Sequence, residues 1–287
     1  MRRSLTIVLL LAMIACGGEK KEQEKPAVAV SILPLKYLVT SIADTLIDVM
    51  VMVPPGAAPE TWEPTAAQML MLEKAELSFT IGHLSFEDQL LPGGAKKGEG
   101  PAVAALSEGL ELIGMEYRHG DHTHRGVDPH IWMSPILMER MAGRVYEQLL
   151  LLLPGRESQL QENHEKLVAE IRETSRYAEK ELAAFKGKSF FIFHPALGYF
   201  ARDYGLEQVS VEYEGKEPTP AYLKEMIGLA RSENAGIIFI QEEFDVRNAT
   251  VIAKEIGGEV VRINPLNEDW PQEIINITDH LKNSFRP

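Results

Sequence analysis

Three residues have the type and the setting to hold a metal ion. His194 directly follows the β-rich run Ser189–Phe193 and precedes Pro195, so it projects from the carboxyl end of an expected strand. His130 lies in Asp128-Pro129-His130-Ile131-Trp132, just ahead of an expected helix whose start is marked by Ser134 as cap and Pro135 as first residue. Glu60 sits in Pro59-Glu60-Thr61-Trp62-Glu63-Pro64, after the strand-ending Pro54-Pro55-Gly56. Imidazole nitrogen and carboxylate oxygen are donors that zinc accepts in a tetrahedron at about 2.0 to 2.2 Å, whereas manganese prefers more oxygens and a higher coordination number. Each residue alone is weak, because a lone histidine is more often a hydrogen-bonded structural residue.

The surrounding elements give these positions a frame. From Ala27 onward, short β-rich runs alternate with helical periods, the pattern of parallel α/β units. Strands are expected at Ala27–Ile32, Ile47–Val53 and Glu76–Ile81, with helices at Pro34–Ala43 and Thr65–Lys74; Leu91 to His124 reads as irregular. After the helix that runs to about Leu153, residues Arg156 to Phe185 contain no Gly or Pro and keep Leu160, Leu167, Ile171, Ala178, Leu182 and Phe185 at a three-to-four spacing. Such a helix is a rod of about 45 Å. It is either a long surface helix or, in the reading preferred here, a rigid spine joining two lobes. Beyond Gly187 four further β/α units follow, with strands at Ser189–Phe193, Gln208–Tyr213, Gly236–Ile240 and Val260–Ile263. The expected fold class is α/β: two lobes, each a mostly parallel four-stranded sheet flanked by helices, bridged by one long helix, with the ligand in the interlobe cleft beyond the strand carboxyl ends.

The amino terminus reads as an export leader. Arg2 and Arg3 precede the apolar stretch Leu5 to Ile14, which is too short to span a bilayer as a helix. Met13-Ile14-Ala15-Cys16 follows, resembling the lipobox of a bacterial lipoprotein, and Cys16 is the sole cysteine, so no intrachain disulfide can form. The domain expectation is a leader over 1–15, a lipidated Cys16 with a charged tether over 16–25, an N-terminal lobe over 26–154, a linking helix over 155–186 and a C-terminal lobe over 187–287. Removing the two arginines takes the formal net charge from -13 to -15, which disfavours nucleic acid and suits the capture of cations. A monomer, anchored outside the cytoplasm to a bacterial membrane, is expected.

Three strings together resemble the metal receptors of ABC importers, the periplasmic zinc- and manganese-binding proteins: Pro55-Gly56-Ala57-Ala58-Pro59 with Glu63-Pro64-Thr65, then Asp128-Pro129-His130-Ile131-Trp132, then Phe193-His194-Pro195-Ala196-Leu197-Gly198-Tyr199-Phe200. The resemblance covers nearly the whole chain after the leader. It implies two α/β lobes bridged by one long helix, metal ligation by His130 and His194, and delivery to a membrane permease. Glu60 stands where that family usually has histidine, and Asn264-Pro265-Leu266 where it often has an aspartate. The implied ligand set is then two imidazoles and a carboxylate, with a fourth position left to water, Asn264, or a carboxylate such as Glu242; Gln241 stands where the family tends to have glutamate. Loss of the aspartate favours Zn2+ over Mn2+.

His119-Gly120-Asp121-His122-Thr123-His124 is expected to be a mobile loop, resembling a shortened form of the His-rich loop of zinc receptors. It either captures an auxiliary ion or is a solvated loop without a role. Rival functions are a manganese receptor, a receptor for chelated metal such as a siderophore or haem, a surface adhesin, and a zinc hydrolase. The last lacks a His-Glu-x-x-His helix, a Gly-x-Ser-x-Gly elbow and a Gly-rich phosphate loop, so the protein is read as a receptor and not an enzyme.

Overall fold

The structure is a computed structural model that describes residues 24–90, 100–119, 122–212 and 218–285. The leader, Cys16 and nearly all of the tether lie outside the described residues.

The first sheet is built from β1 (Ala27–Val30), β2 (Asp48–Val51), β3 (Leu77–Thr80) and β4 (Ala102–Ala105), all parallel, in the order β2-β1-β3-β4. Crossovers are made by α1 (Leu33–Ala43), α2 (Ala66–Leu72) and α3 (Ser85–Leu90). β4 lies inside the stretch read from sequence as irregular; with only four small residues, Ala102-Val103-Ala104-Ala105, its strand signal is too short to stand out. Next come an antiparallel hairpin, β5 (Gly114–His119) and β6 (His122–Val127), then α4 (Pro135–Leu152) and α5 (Glu157–Leu182). The hairpin corrects the loop expectation around His119 to His124: the described backbone on either side of residues 120 and 121 is paired in register, with His119 opposite His122 and Tyr117 opposite His124. The side chains there are outside the described part of the structure.

The second sheet comprises β7 (Ser189–Ile192), α6 (Gly198–Tyr204), β8 (Glu207–Ser210), α7 (Pro220–Ser232), β9 (Ile237–Gln241), α8 (Arg247–Ile256), β10 (Glu259–Ile263) and the closing α9 (Trp270–Phe285). Its strands are again all parallel, in the order β10-β9-β7-β8. Counted from its own first strand, this is the same order as in the first lobe. Each sheet therefore has its topological switch point beside its first strand, where ligands of open α/β sheets bind.

α5 is 26 residues long, about 39 Å at the helical rise, and packs along α1, α4 and α9. Its buried positions Leu160, Leu167, Ile171, Thr174, Ala178 and Leu182 make one apolar stripe on a helix otherwise rich in charge. That stripe fuses the two lobes into one core. The cluster that holds β1, α1 and α4 continues through α5 to Phe190 and Ile192 of β7, Phe239 of β9 and Ile274 of α9. The alternate residues Phe191, Ile238 and Ile240 face the other way, into a smaller core under α7 and α8, as the period of two in a strand requires. Two buried indoles stitch the lobes near the cleft: Trp132 Nε1 donates to the Pro265 carbonyl at 2.8 Å, and Trp270 Nε1 donates to the Trp132 carbonyl at 2.7 Å.

Candidate metal centre

Each candidate ligand is held by a different local device. β2 ends where Gln68 Nε2 of α2 takes the Met52 carbonyl at 2.8 Å, and Gly56 turns the chain with φ +80. The chain then closes a turn through Thr61 N to Ala58 O at 3.2 Å, which carries Glu60. Thr65 and Gln68 form a capping box that starts α2 and fixes the far end of the loop. Trp62 does not wall the cleft; it packs edge-on against Phe86 of α3 at 4.8 Å. His130 is fastened more firmly, since the next residues Ile131, Trp132 and Met133 are buried and Ser134 caps α4 through Leu137 N at 3.0 Å. His194 leaves β7, and its backbone is pinned by Gln241 at the end of β9, whose Nε2 donates to the His194 carbonyl at 2.6 Å.

These devices bring Glu60, His130 and His194 together, with one ligand atom from each lying within 4.8 Å of the others. Glu60 Oε1 is 3.5 Å from His130 Nε2 and 3.4 Å from His194 Nε2. A tetrahedron with bonds of about 2.05 Å has edges of about 3.3 Å, so two edges already have nearly the spacing that zinc needs. The Nε2 atom of His194 is buried and, apart from Glu60 Oε1 at 3.4 Å, has no partner among the described residues. Such an atom is costly unless something fills the position it faces. Both other ring nitrogens are taken by buried carboxylates: His130 Nδ1 lies 2.7 Å from Asp128 Oδ1, and His194 Nδ1 lies 2.9 Å from Glu212 Oε2. With Nδ1–H donating to a carboxylate, Nε2 is left as the coordinating atom and the ring cannot swivel.

Sequence reading missed Asp128 and Glu212 as functional. For Asp128 the signal was present, because an aspartate two residues before a histidine can bond both its backbone N, here at 2.9 Å, and its ring. Glu212 carries no such local cue. It is 18 residues from His194 and meets it only because β8 pairs with β7.

The electrostatics follow from this packing. Burial by itself would lower the His194 pKa, but the Glu212 and Glu60 carboxylates outweigh it and push the imidazole up to about 9. Burial opposes the charge on His130 too, and Asp128 and Glu60 again more than offset it, leaving the pKa raised. Glu60 is held well below the usual carboxylate range: burial acts to raise it, and hydrogen bonding and attraction from the two imidazoles win. Without a metal, the centre is thus a carboxylate shared between two imidazoles that favour protonation. A divalent cation held by the same atoms would replace those protons.

The sequence profile of the zinc-uptake complex component A, the periplasmic protein ZnuA, matches residues 28–284. The chain belongs to the ZnuA family. It is 26% identical over 273 residues to the high-affinity zinc uptake system protein ZnuA of Bacillus subtilis (strain 168), covering 89% of this chain and 85% of that one. It is 25% identical to the zinc-binding lipoprotein AdcA of Streptococcus pneumoniae (strain ATCC BAA-255 / R6), over 91% of this chain and 54% of AdcA, so it spans about half of that longer protein. Among solved structures, a ZnuA deletion mutant with zinc bound superposes with a TM-score of 0.81 at 31% identity, covering 92% of this chain and all of the other. This ZnuA-family chain is accordingly a solute-binding protein by descent, with the family's two parallel sheets and linking helix.

Within this ZnuA-family site, the side chains considered for a fourth position are engaged in other bonds or turned outward. Asn264 is occupied: its Oδ1 accepts from Leu266 N at 3.0 Å and its Nδ2 donates to Glu242 Oε2 at 3.4 Å. Gln241 lines the cleft but spends its amide on the His194 backbone. Glu242 is exposed and absent from the lining; its neighbour Glu243 turns inward instead, with its pKa raised by burial and by the charges of Glu60 and Glu242. Pro59, Trp132, Phe244, Pro265 and Leu266 supply apolar walls, and Phe244 stacks on the His194 ring at 5.1 Å. These walls limit the water around the two imidazoles and strengthen the charge interactions there.

Proposed function

We propose that this protein is an extracytoplasmic receptor that captures Zn2+ between its lobes through Glu60, His130 and His194, and delivers it to the membrane permease of an ABC importer. The observation that carries the reading is the pair of imidazole Nε2 atoms at 3.5 and 3.4 Å from one oxygen of Glu60, each ring locked from behind by its own carboxylate. Two nitrogens and one carboxylate suit tetrahedral zinc, with water as the fourth ligand; manganese would need more oxygens than the cluster offers. The cleft has a volume of about 20 Å³, far below the roughly 300–1,000 Å³ of pockets for organic ligands, which argues against a siderophore or haem. Nor is a catalytic role proposed, since family membership and the small size of the cleft both favour holding an ion over turning over a substrate.

Cys16 is proposed as the lipid anchor, supported by its setting after Ala15 and by the lipoprotein name of the streptococcal relative. The histidines at 119, 122 and 124 are proposed as an auxiliary capture point on the hairpin. The central test is calorimetric titration of metal-stripped protein with zinc and with manganese, beside the double variant His130→Ala/His194→Ala. Tight one-site zinc binding that the double variant loses is the expected result. Binding that persists in the variant, or a preference for manganese, overturns the zinc assignment. Membrane association lost in Cys16→Ala tests the anchor, and its survival refutes it.

A further inference from the structure

Asp128, the carboxylate behind His130, is gripped from the opposite lobe. Its Oδ1 accepts from both the backbone N and Nδ1 of His130, at 2.9 and 2.7 Å. Its backbone carbonyl accepts from the hydroxyl of Tyr199 at 2.7 Å, and that phenol oxygen accepts in turn from Ile113 N at 3.1 Å. Tyr199 is fully buried. The other carboxylate oxygen of Asp128, Oδ2, lies against Gly198, the first residue of α6: a Cβ built there would stand 2.6 Å from it. The next nearest atoms, on Gln208 and Ile113, are at 3.7 and 3.8 Å, which is ordinary contact.

Gly198 does not have a positive φ, so its backbone does not call for glycine, and a helix favours alanine by about 1 kcal/mol. What excludes a side chain is a single atom, and that atom belongs to the group that orients a proposed zinc ligand. A carboxylate at the end of a side chain normally steps aside cheaply. Here it cannot do so without loosening its two bonds to His130.

We propose that Gly198 is a positioning residue for zinc capture: by lacking a Cβ it lets the Asp128 carboxylate seat against α6, and so sets the His130 ring from the lobe that carries His194. His194 is only four residues upstream of Gly198, so the Pro195–Tyr199 segment places one ligand directly and the other through Asp128. The two imidazoles are thereby registered to each other across the cleft. The inference rests on the zinc-receptor reading above.

The test is a double-mutant cycle on the full protein with zinc as probe, using Gly198→Ala, Asp128→Ala and the two combined. Gly198→Ala is expected to weaken zinc binding roughly 10- to 100-fold, as loss of an orienting partner does. Added to Asp128→Ala, it is expected to change affinity by less than about twofold, since no carboxylate remains to be displaced. An affinity for Gly198→Ala within twofold of the parent, or an equal loss in both backgrounds, overturns the proposal while leaving the receptor reading intact; a parent that binds no zinc defeats that reading instead. Should Gly198→Ala not fold, the combined variant decides: it folds and binds like Asp128→Ala if the carboxylate is what the Cβ meets, and its failure to fold places the glycine's role elsewhere and refutes the idea.

Discussion

Zinc binding should release protons, and the surroundings of the two imidazoles bound how many. With its pKa at about 9, His194 is roughly 99% protonated at pH 7, so coordination through Nε2 must expel close to one full proton. His130 is also held above its ordinary value and adds up to a second. Glu60 is ionised throughout the accessible range, because its imidazole neighbours keep its pKa low, and adds none. The count is therefore between one and two. Each proton displaced makes the apparent affinity fall tenfold per pH unit, about 1.4 kcal/mol, so from pH 7.5 to 5.5 the loss is at least about 100-fold and approaches 10⁴-fold where both rings titrate. The assay is calorimetric zinc titration at pH 7 in buffers of different ionisation enthalpy, repeated across that pH range. Release of less than half a proton, or an affinity flat with pH, would refute both the histidine ligation and the carboxylate-held imidazolium picture.

Other expectations follow from the same contacts. Glu60→Gln removes the charged ligand and should weaken zinc by more than the roughly 10- to 100-fold typical of a lost outer partner, as read by competition with a chromophoric chelator. Glu212→Gln should lower affinity about tenfold and also reduce the proton count at pH 7, because the His194 ring loses the strongest support for its charge; an unchanged count would disprove the Glu212–His194 coupling. Trp132→Phe leaves the Pro265 carbonyl without its buried donor and should cost about 1–3 kcal/mol in denaturant unfolding, with less than 0.5 kcal/mol arguing that the lobes are not stitched there. Metal-free protein should lose stability as pH rises. A histidine raised from 6.5 to about 9 on folding contributes fully below pH 6.5 and is lost through pH 9, on the order of 1–3 kcal/mol, while Glu60, lowered from 4.5, contributes above that value and is lost in acid. Melting without metal at pH 6 and pH 9.5 checks the sign, and a higher transition at pH 9.5 would contradict it.

The order of α/β units was legible because their strands are short apolar runs bounded by Gly and Pro, and because α5 keeps its stripe of Leu160, Leu167, Ile171, Ala178 and Leu182 without a breaker. β4 and the β5–β6 hairpin escaped notice for opposite reasons, one being too short and small, the other polar and glycine-punctuated. At the centre, the strand-end and helix-start positions of His194 and His130 could be read locally. What surrounds them could not. Whether Gln241, Glu242 or Glu243 faces the cleft depends on how the chain turns after β9, and Asn264 is diverted by a bond to Leu266 that no periodicity reveals. Glu212 acquires its role from strand pairing alone.

The core that runs unbroken from β1 through α5 to α9 has a bearing on release. A receptor hinged between independent halves can let its cargo go by gaping. Here gaping would tear apolar contacts and two buried indole bonds at once, and the histidines, one on each side, are seated against that stiff frame. The proposed ligand seated otherwise is Glu60, on a surface turn with its side chain 32% exposed. If the three residues hold zinc as proposed, escape of the ion would run through one small motion rather than a large one, and its residence time would become a property of a single loop. Substitutions within Pro54–Pro64 other than at Glu60 would tune how long the metal stays, while the proposed ligands remain untouched.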